Sequence, residues 1–374
     1  MEDIHSKAIK KLDDFINHDL PQYSRDRNYD FGITRRNNVS MLSKYISHRI
    51  INEYSVVKRS LDRYKFNKIE KYIQEVFWRI YWKGWLEHRP KVWNDYLSYS
   101  VKNVDNEVLE KAHSGTTNIE CFNDWVKELK EFNYLHNHTR MWFASIWIFT
   151  LNLPWQLGAE FFMKHLYDGD AASNTLGWRW VAGIQTQGKH YLASEWNIKK
   201  FTNNRFNNIN LNENAPPKVS EKIYKAVLKD FSNPVSLDEQ NLIIFDNNLS
   251  FELTDFKDHK FKKIYLVNNN NDSRNITLSE KTVKFKTNLI QDQKRRLDEK
   301  SLDCEIIDIG NLKTIENSYF LYPCVGENLD FLTSQGINNI KFLYRNLDRS
   351  SWKYCNKGFF NFKKYIPTII KEFF

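Results

Sequence analysis

The pattern of apolar residues changes near residue 210, and this change constrains the fold more than any other feature of the chain. Before that point apolar residues recur at helical spacing, and over residues 69–85 they occupy more than one face, which predicts a helix buried on most sides. Residues 207–217 are rich in Asn and contain a Pro-Pro pair, which is typical of a linker. Beyond the linker lie short apolar runs of strand length, at residues 242–245, 264–267, 304–307, 319–322 and 341–344.

Helix-like stretches alternate with these runs, at residues 283–298 and 327–335. Strands that alternate with helices favour a parallel, Rossmann-like sheet with right-handed crossovers. The sequence therefore predicts an α + α/β chain. We expect an all-helical domain over residues 1–206, a linker over 207–238 and a small C-terminal α/β domain over 239–374. This second domain carries neither a G-x-G-x-x-G nor a Walker A sequence.

Composition narrows the class of protein. A formal net charge of +9 favours an anionic partner such as nucleic acid. The four cysteines, Cys121, Cys304, Cys324 and Cys355, form no C-x-x-C pair, so we expect reduced buried thiols and no metal site. The longest apolar run, residues 141–153, is shorter than the ~20 residues that span a bilayer and is interpreted as a core helix. We expect a cytoplasmic monomer that contacts no membrane.

The first candidate cluster is Gly-Ile-Thr-Arg-Arg-Asn-Asn-Val-Ser at residues 32–40, ahead of an apolar stretch over residues 41–49. Small polar residues before a helix supply caps and free backbone N–H groups. With Arg35 and Arg36 beside them, these groups suit a pyrophosphate at a helix N-terminus. An ordinary basic helix cap explains the same residues.

Two further clusters lie on predicted helices. Glu75, Trp78 and Arg79 fall at i, i+3 and i+4, so an acid, a stacking ring and a cation share one face. An amphipathic core helix with a surface ion pair is the plainer interpretation.

Residues 136–141 read His-Asn-His-Thr-Arg-Met, in which His-x-His lacks the further ligands that a zinc site needs.

The fourth cluster, residues 166–180, reads Leu-Tyr-Asp-Gly-Asp-Ala-Ala-Ser-Asn-Thr-Leu-Gly-Trp-Arg-Trp. Acids beside aromatics suit a planar, hydrogen-bonding redox cofactor, although an aromatic core gives a similar pattern. The four clusters together resemble those of DNA photolyases and cryptochromes, most specifically over residues 32–206. Within that family the chain resembles a short subgroup that lacks the N-terminal antenna domain. Members of the subgroup carry a tail matched here by Arg349, Trp352 and residues 358–362.

The resemblance implies a noncovalent FAD, with Asp168 paired to Arg140 near the flavin ring. The residues that it assigns to FAD binding are Tyr23, Thr34, Arg35, Asn37, Asn38, Glu75, Arg79, Asn137, Arg140, Asp168, Asp170 and Asn174. It also implies a pocket for a flipped-out lesion, lined by Glu75, Trp78, Asn137 and Met141. Electrons would reach the flavin through Trp178 and Trp155. The usual third tryptophan of that route aligns with Ala112, so photoreduction would either end early or use Trp142, Trp147, Trp180 or a tyrosine instead.

The activity implied is a deoxyribodipyrimidine photolyase, which repairs cyclobutane pyrimidine dimers in UV-damaged DNA by electron transfer from light-excited reduced FAD. One alternative is a cryptochrome-like blue-light photoreceptor without repair activity. Another is a (6-4) photolyase, which would need histidines at the positions of Asn137 and Met141. A third is a nucleic-acid-binding protein that has lost its flavin. We interpret the C-terminal domain as structural, with a second antenna chromophore as the alternative.

Overall fold

The computed structural model describes residues 3–102, 104–220, 222–337 and 340–374. Helices fill the first 201 residues, as the apolar spacing predicted. These helices are α1 (Ile4–His18), α2 (Tyr23–Asp26), α3 (Ser43–Ser47), α4 (Glu53–Arg63), α5 (Phe66–Glu87), α6 (Lys91–Leu97), α7 (Asn106–Ser114), α8 (Glu120–Phe132), α9 (Asn137–Ser145), α10 (Trp155–His165), α11 (Ala171–Ala182) and α12 (Glu195–Phe201).

The central helix of this part is α5, which packs against α2, α4 and α11. From the C-terminal part it also contacts α15 (Asn346–Trp352) and α16 (Phe359–Phe362). Its 22 residues span about 33 Å at the usual rise per residue. Gln74, Ile80 and Leu86 point in three different directions around the helix axis and all three are buried, which confirms the prediction that this helix is enclosed on most sides.

The apolar run over residues 141–153 is a core segment, as expected. It begins in α9, continues as a π-helical turn over Ile146–Thr150 and ends before Pro154, which lacks the N–H that a helix would need. Trp142 and Trp147 are fully buried within it. Across the residues that the structure describes, no helix is long and apolar enough to cross a membrane.

The C-terminal part contains a five-stranded, all-parallel sheet in the order β3-β2-β1-β4-β5. Each predicted apolar run is a strand, and both predicted helices are present. The elements are β1 (Asn241–Phe245), β2 (Ile264–Asn268), α13 (Glu280–Asp298), β3 (Cys304–Asp308), β4 (Ser318–Leu321), α14 (Glu327–Ser334), β5 (Lys341–Leu343), α15 (Asn346–Trp352), α16 (Phe359–Phe362) and α17 (Ile366–Phe373). The strand order reverses direction between β1 and β4, which makes that position the topological switch point of the sheet.

The segment between α12 and β1 contains no helix or strand among its described residues. It lies against the helical part: Lys218 N–H donates to Ala182 O and Val227 N–H donates to His88 O, both at 2.9 Å. One apolar cluster joins α1, α4 and α5 to the sheet and to α15–α17, so the helical and α/β parts share a core. The division into domains at residues 206 and 239 stays a prediction.

Candidate functional site

The fourth sequence cluster forms a turn of two acids that opens α11. Asp170 is the N-cap, and its Oδ1 accepts the N–H of Ser173 at 2.8 Å. Asp168, two residues earlier, pairs with Arg140 of α9 at 2.9 Å between Nη2 and Oδ2. The pairing that the resemblance implied for Asp168 and Arg140 is therefore present in the structure.

Helix α5 and the short helix α3 bring further polar groups to this turn. Arg79 Nη1 donates to Ser47 Oγ at 2.8 Å, and Ser47 Oγ donates to the Asp168 carbonyl oxygen at 3.1 Å. Lys83 lies one turn beyond Arg79, and its Nζ is 3.9 Å from a carboxylate oxygen of Asp170 and 3.9 Å from one of Glu53. Cations and carboxylates thus alternate around a single buried site.

Both acids of the turn are ionised at neutral pH. Burial raises the pKa of Asp168, but the charge of Arg140 and its hydrogen bond outweigh this effect and leave the pKa below its ordinary value. Burial likewise raises the pKa of Asp170, while Lys83 and the Ser173 N–H lower it by more. Two buried carboxylates of this kind are acceptors for hydroxyl and imide N–H donors.

Asn174 and Gly177 lie three residues apart on α11 and share a face. Asn174 Nδ2 donates to Ala159 O at 2.8 Å, which fixes the side-chain amide and leaves its oxygen for other donors. A Cβ added at Gly177 would meet nothing within 4 Å. Open space therefore lies beside the face that presents Asn174.

The cluster at residues 32–40 is arranged differently from the predicted helix cap. The helix that follows is only α3, without a side-chain cap, because Met41 and Arg49 have positive φ angles of 51° and 53° that interrupt helical geometry on either side. Arg36 is fully enclosed, and its guanidinium bonds to Asp30 and Glu128.

The remaining upstream residues assigned to FAD lie around this segment. Thr34, Arg35 and Asn37 are exposed. Asn38 Nδ2 donates to the carbonyl oxygens of Asp26 and Tyr29. The ring of Tyr23 packs against Phe15 and Tyr72, with ring centroids 6.0 and 5.1 Å away. None of the contacts described for these residues reaches Asp168 or Asp170.

The residues assigned to the lesion lie on α5 and α9. Glu75 pairs with Arg27 at 2.9 Å, and burial raises the pKa of its carboxyl group. Asn137 is exposed at the start of α9, and Met141 is half-buried one turn later.

One face of Trp78 is covered by the tail of the chain: the Phe359 ring lies parallel to it at 3.5 Å between centroids and 10° between planes. The sequence pattern quoted for the tail included Phe359, but nothing in it assigned a partner to this ring. Phe359 and Arg27 are therefore two residues of this region that sequence reasoning missed.

His136 and His138 form the N-terminal cap of α9. His136 is the N-cap residue, and its Nδ1 accepts the N–H of His138 at 3.2 Å. No group of three or more His, Cys, Asp or Glu residues suited to a metal ion occurs in the described part of the chain. All four cysteines are buried and unpaired, as expected.

The tryptophans of the predicted electron route are packed among other rings. Trp178 is 6.2 Å from Trp147 between ring centroids, with the planes at 83°. Trp155 stacks on Tyr96 at 5.5 Å, and Tyr96 lies 5.5 Å from Trp93. Ala112 is buried. Of the alternative exits considered, Trp147 is thus in edge contact with Trp178.

A family model described as the FAD binding domain of DNA photolyase matches residues 72–212. This segment contains most of α5, all of α9 and α11, and the turn with Asp168 and Asp170. Over these residues the chain is similar to the FAD binding domain of DNA photolyases.

Curated proteins similar to this chain include the deoxyribodipyrimidine photo-lyases of Buchnera aphidicola subsp. Baizongia pistaciae and Neurospora crassa. The first is 30% identical over 193 residues, which are 49% of this chain and 40% of that protein. The second is 27% identical over 197 residues, 50% of this chain and 31% of that protein. The chain therefore spans well under half the length of these relatives. A class III photolyase structure from Agrobacterium tumefaciens is 27% identical, with a TM-score of 0.47 over 53% of this chain and 42% of that one.

The residues at the acid turn fit an FAD. Among the described residues, Asp168 Oδ1 and Trp178 Nε1 are buried without a hydrogen-bond partner, one an acceptor and the other a donor. Arg79 and Lys83 supply positive charge for phosphate, and Asp170 supplies an acceptor for hydroxyl groups. A flavin dinucleotide demands this mixture of acceptors, donors and cations.

Proposed function

We propose that this chain belongs to the photolyase/cryptochrome family and binds FAD at the acid turn, through Arg79, Arg140, Asp168, Asp170 and Asn174. The observation that carries the proposal is the Arg140–Asp168 pair, because it holds a buried carboxylate ionised with one oxygen still unpaired. Tyr23, Thr34, Arg35, Asn37 and Asn38 remain proposed contributors from their sequence match alone. The match of residues 72–212 to the FAD binding domain supports this cofactor.

We further propose that the protein is a deoxyribodipyrimidine photolyase that repairs cyclobutane pyrimidine dimers in UV-damaged DNA. The chemistry that FAD supplies when bound is light-driven electron donation to the dimer and recovery of the electron afterwards. The net charge of +9 favours binding to the DNA backbone. We propose that it acts as a cytoplasmic monomer.

In this proposal the side chains position the lesion rather than react with it. A dimer extruded from the duplex stacks on Trp78, as flipped bases stack on aromatic rings. Glu75 accepts hydrogen bonds from the bases, and Asn137 and Met141 line the opposite wall. Trp178 would be the residue that supplies electrons to a bound oxidised flavin, with Trp155 or Trp147 next along the route.

The test is illumination of a dimer-containing oligonucleotide with the purified, chemically reduced protein. Repair should require blue light and should fall sharply in Trp78→Ala. A surface control is Trp196→Ala, because Trp196 is 65% exposed and lies outside the proposed pocket. Intact dimers after illumination of flavin-loaded protein would contradict repair.

The cryptochrome-like photoreceptor is the second candidate, and the covered face of Trp78 favours it. A ring already stacked on Phe359 at 3.5 Å has only its other face for a base. A photoreceptor would show photoreduction of its flavin together with no repair and no preference for damaged DNA.

A further inference from the structure

The tail of the chain, residues 353–374, packs against α5 with one face buried and one face exposed. Helix α16 continues through a single turn of 3-10 helix into α17, so most of the tail is helical. Phe359, Phe362 and Ile366 lie on the buried face. The exposed face carries lysines and one large apolar side chain, Phe360, which is 80% exposed.

The backbone on both sides of Phe360 is fixed to α5. Before it, the Tyr81 hydroxyl donates to the carbonyl oxygen of Lys357 at 2.9 Å. After it, Lys363 Nζ lies 3.3 Å from Glu70 Oε1. The exposure of the Phe360 ring is therefore not that of a loose end. A ring held in this way loses little conformational entropy when a planar group stacks on it.

Phe360 extends a series of aromatic rings that includes Trp78. The ring centroid of Phe360 lies 6.2 Å from that of Phe359, in edge contact. Phe359 stacks on Trp78 at 3.5 Å, and Trp78 lies 5.0 Å from Trp82. Both tryptophans are half-buried. The exposed ring is thus two ring contacts away from Trp78.

The surface around Phe360 is basic. Residues 353–374 contain five lysines and a single acid. Lys357 lies three residues before Phe360 and Lys364 one helical turn after it, and both lysines are exposed. An apolar protein partner would have to desolvate these charges to reach one ring. A strand of nucleic acid offers planar bases and phosphates together, so it matches the ring and the cations at once.

We propose that the exposed face of the tail binds single-stranded DNA, with an unpaired base stacked on Phe360 and the neighbouring phosphates held by Lys357 and Lys364. Stacking on an aromatic ring beside cations is sequence-tolerant, because every base has a flat face. The C-terminal part of the chain is then a binding element in addition to a structural one.

The same surface also contributes to binding of a damaged duplex. Extrusion of a dimer leaves the bases beside it without stacking partners. Phe360 is placed to receive one of these bases when the dimer lies at Trp78. The position of the dimer and the choice of DNA over RNA rest on the proposed function, whereas the stacking surface does not.

The experiment measures binding of the full-length protein to three labelled DNAs by fluorescence anisotropy. They are an undamaged single strand, the matching undamaged duplex and the same duplex with one thymine dimer. Phe360→Leu keeps an apolar side chain but removes the aromatic face, and it should weaken binding to the single strand about fivefold or more. Phe360→Trp should retain the wild-type affinity. Binding to the undamaged duplex, whose bases are paired and stacked, should be equal in all three proteins.

A control variant makes the same change at another exposed ring. Trp196 is 65% exposed and lies outside the tail, so Trp196→Leu should leave single-strand binding unchanged. Urea unfolding of Phe360→Leu should give the wild-type midpoint, because the side chain is exposed.

The lysines are tested by the salt dependence of binding. Lys364→Met should lower the slope of log affinity against log salt concentration by about 0.7, the contribution of one phosphate contact on a single strand. Its control is Lys127→Met on α8, whose side chain is 70% exposed and which should leave the slope unchanged.

Equal single-strand affinity in Phe360→Leu and the wild type overturns the proposal, even if the protein repairs dimers. An equal loss of affinity for all three DNAs also overturns it, because stacking on an unpaired base is then not the interaction that was removed. So does a wild-type dimer that becomes monomeric in Phe360→Leu, measured by sedimentation without DNA, since it assigns the ring to a contact between two copies. The expected binding pattern without light-dependent repair overturns the proposed function alone.

Discussion

Replacing Phe359 with alanine should destabilise the protein and loosen Trp78. Phe359 is 5% exposed and contacts Trp78, Tyr81 and Phe362. A buried phenylalanine removes roughly 150–250 Å² from water. At ~25 cal/mol per Å², the part beyond the alanine methyl is worth about 3 kcal/mol. Loss of the stack on Trp78 adds about 1 kcal/mol, so we expect a total near 4 kcal/mol.

The assay is urea unfolding followed by circular dichroism, with Phe360→Ala as the matched control. Phe360 is the next residue along the tail but is 80% exposed, so its loss should change the free energy of unfolding by less than about 0.5 kcal/mol. If the two variants lowered the free energy of unfolding equally, burial and stacking at Phe359 would contribute nothing to stability, and the expected difference would be wrong. In the folded variant, affinity for dimer-containing DNA should also fall if Phe359 positions Trp78.

Three further predictions concern the helical part. Burial raises the pKa of Asp30, but Arg36 and neighbouring groups hold it at about 2. The stability that Asp30 contributes is therefore present above its unfolded pKa of ~3.9 and is lost as pH falls through 2, by roughly 2–3 kcal/mol. The pH-dependent unfolding of Asp30→Asn should lack this loss. Gly158→Ala should lower the free energy of unfolding by about 1–3 kcal/mol, because its Cβ would lie 2.3 Å from the Trp178 ring; an unchanged urea midpoint would contradict this. Trp178→Phe should abolish blue-light reduction of oxidised flavin with an external thiol donor, and normal photoreduction would show that electrons enter elsewhere.

The sheet could be predicted because a buried parallel strand reads as a continuous apolar run, and each of the five runs is a strand. Helix α5 could be predicted because apolar residues recur at helical spacing over residues 69–85. The short length of α3 could not, since the positive φ angles of Met41 and Arg49 depend on tertiary contacts and have no glycine to signal them.

The site was predictable only where its residues are close in sequence or matched a family motif. Asp168 and its partner Arg140 belong to such motifs, and the structure pairs them. The stack of Phe359 on Trp78 joins residues from opposite ends of the chain, which no local pattern reveals.

The most direct test begins with the absorbance spectrum of the purified protein, which reports its FAD content. The reduced protein is then illuminated with blue light in the presence of dimer-containing DNA, and the remaining dimer is measured. The purified protein should show a flavin spectrum at one FAD per chain, this spectrum should be sharply reduced in Asp170→Ala, and the reduced protein should remove the dimer only in the light. A colourless protein that takes up no FAD on reconstitution would show that the acid turn does not bind this cofactor.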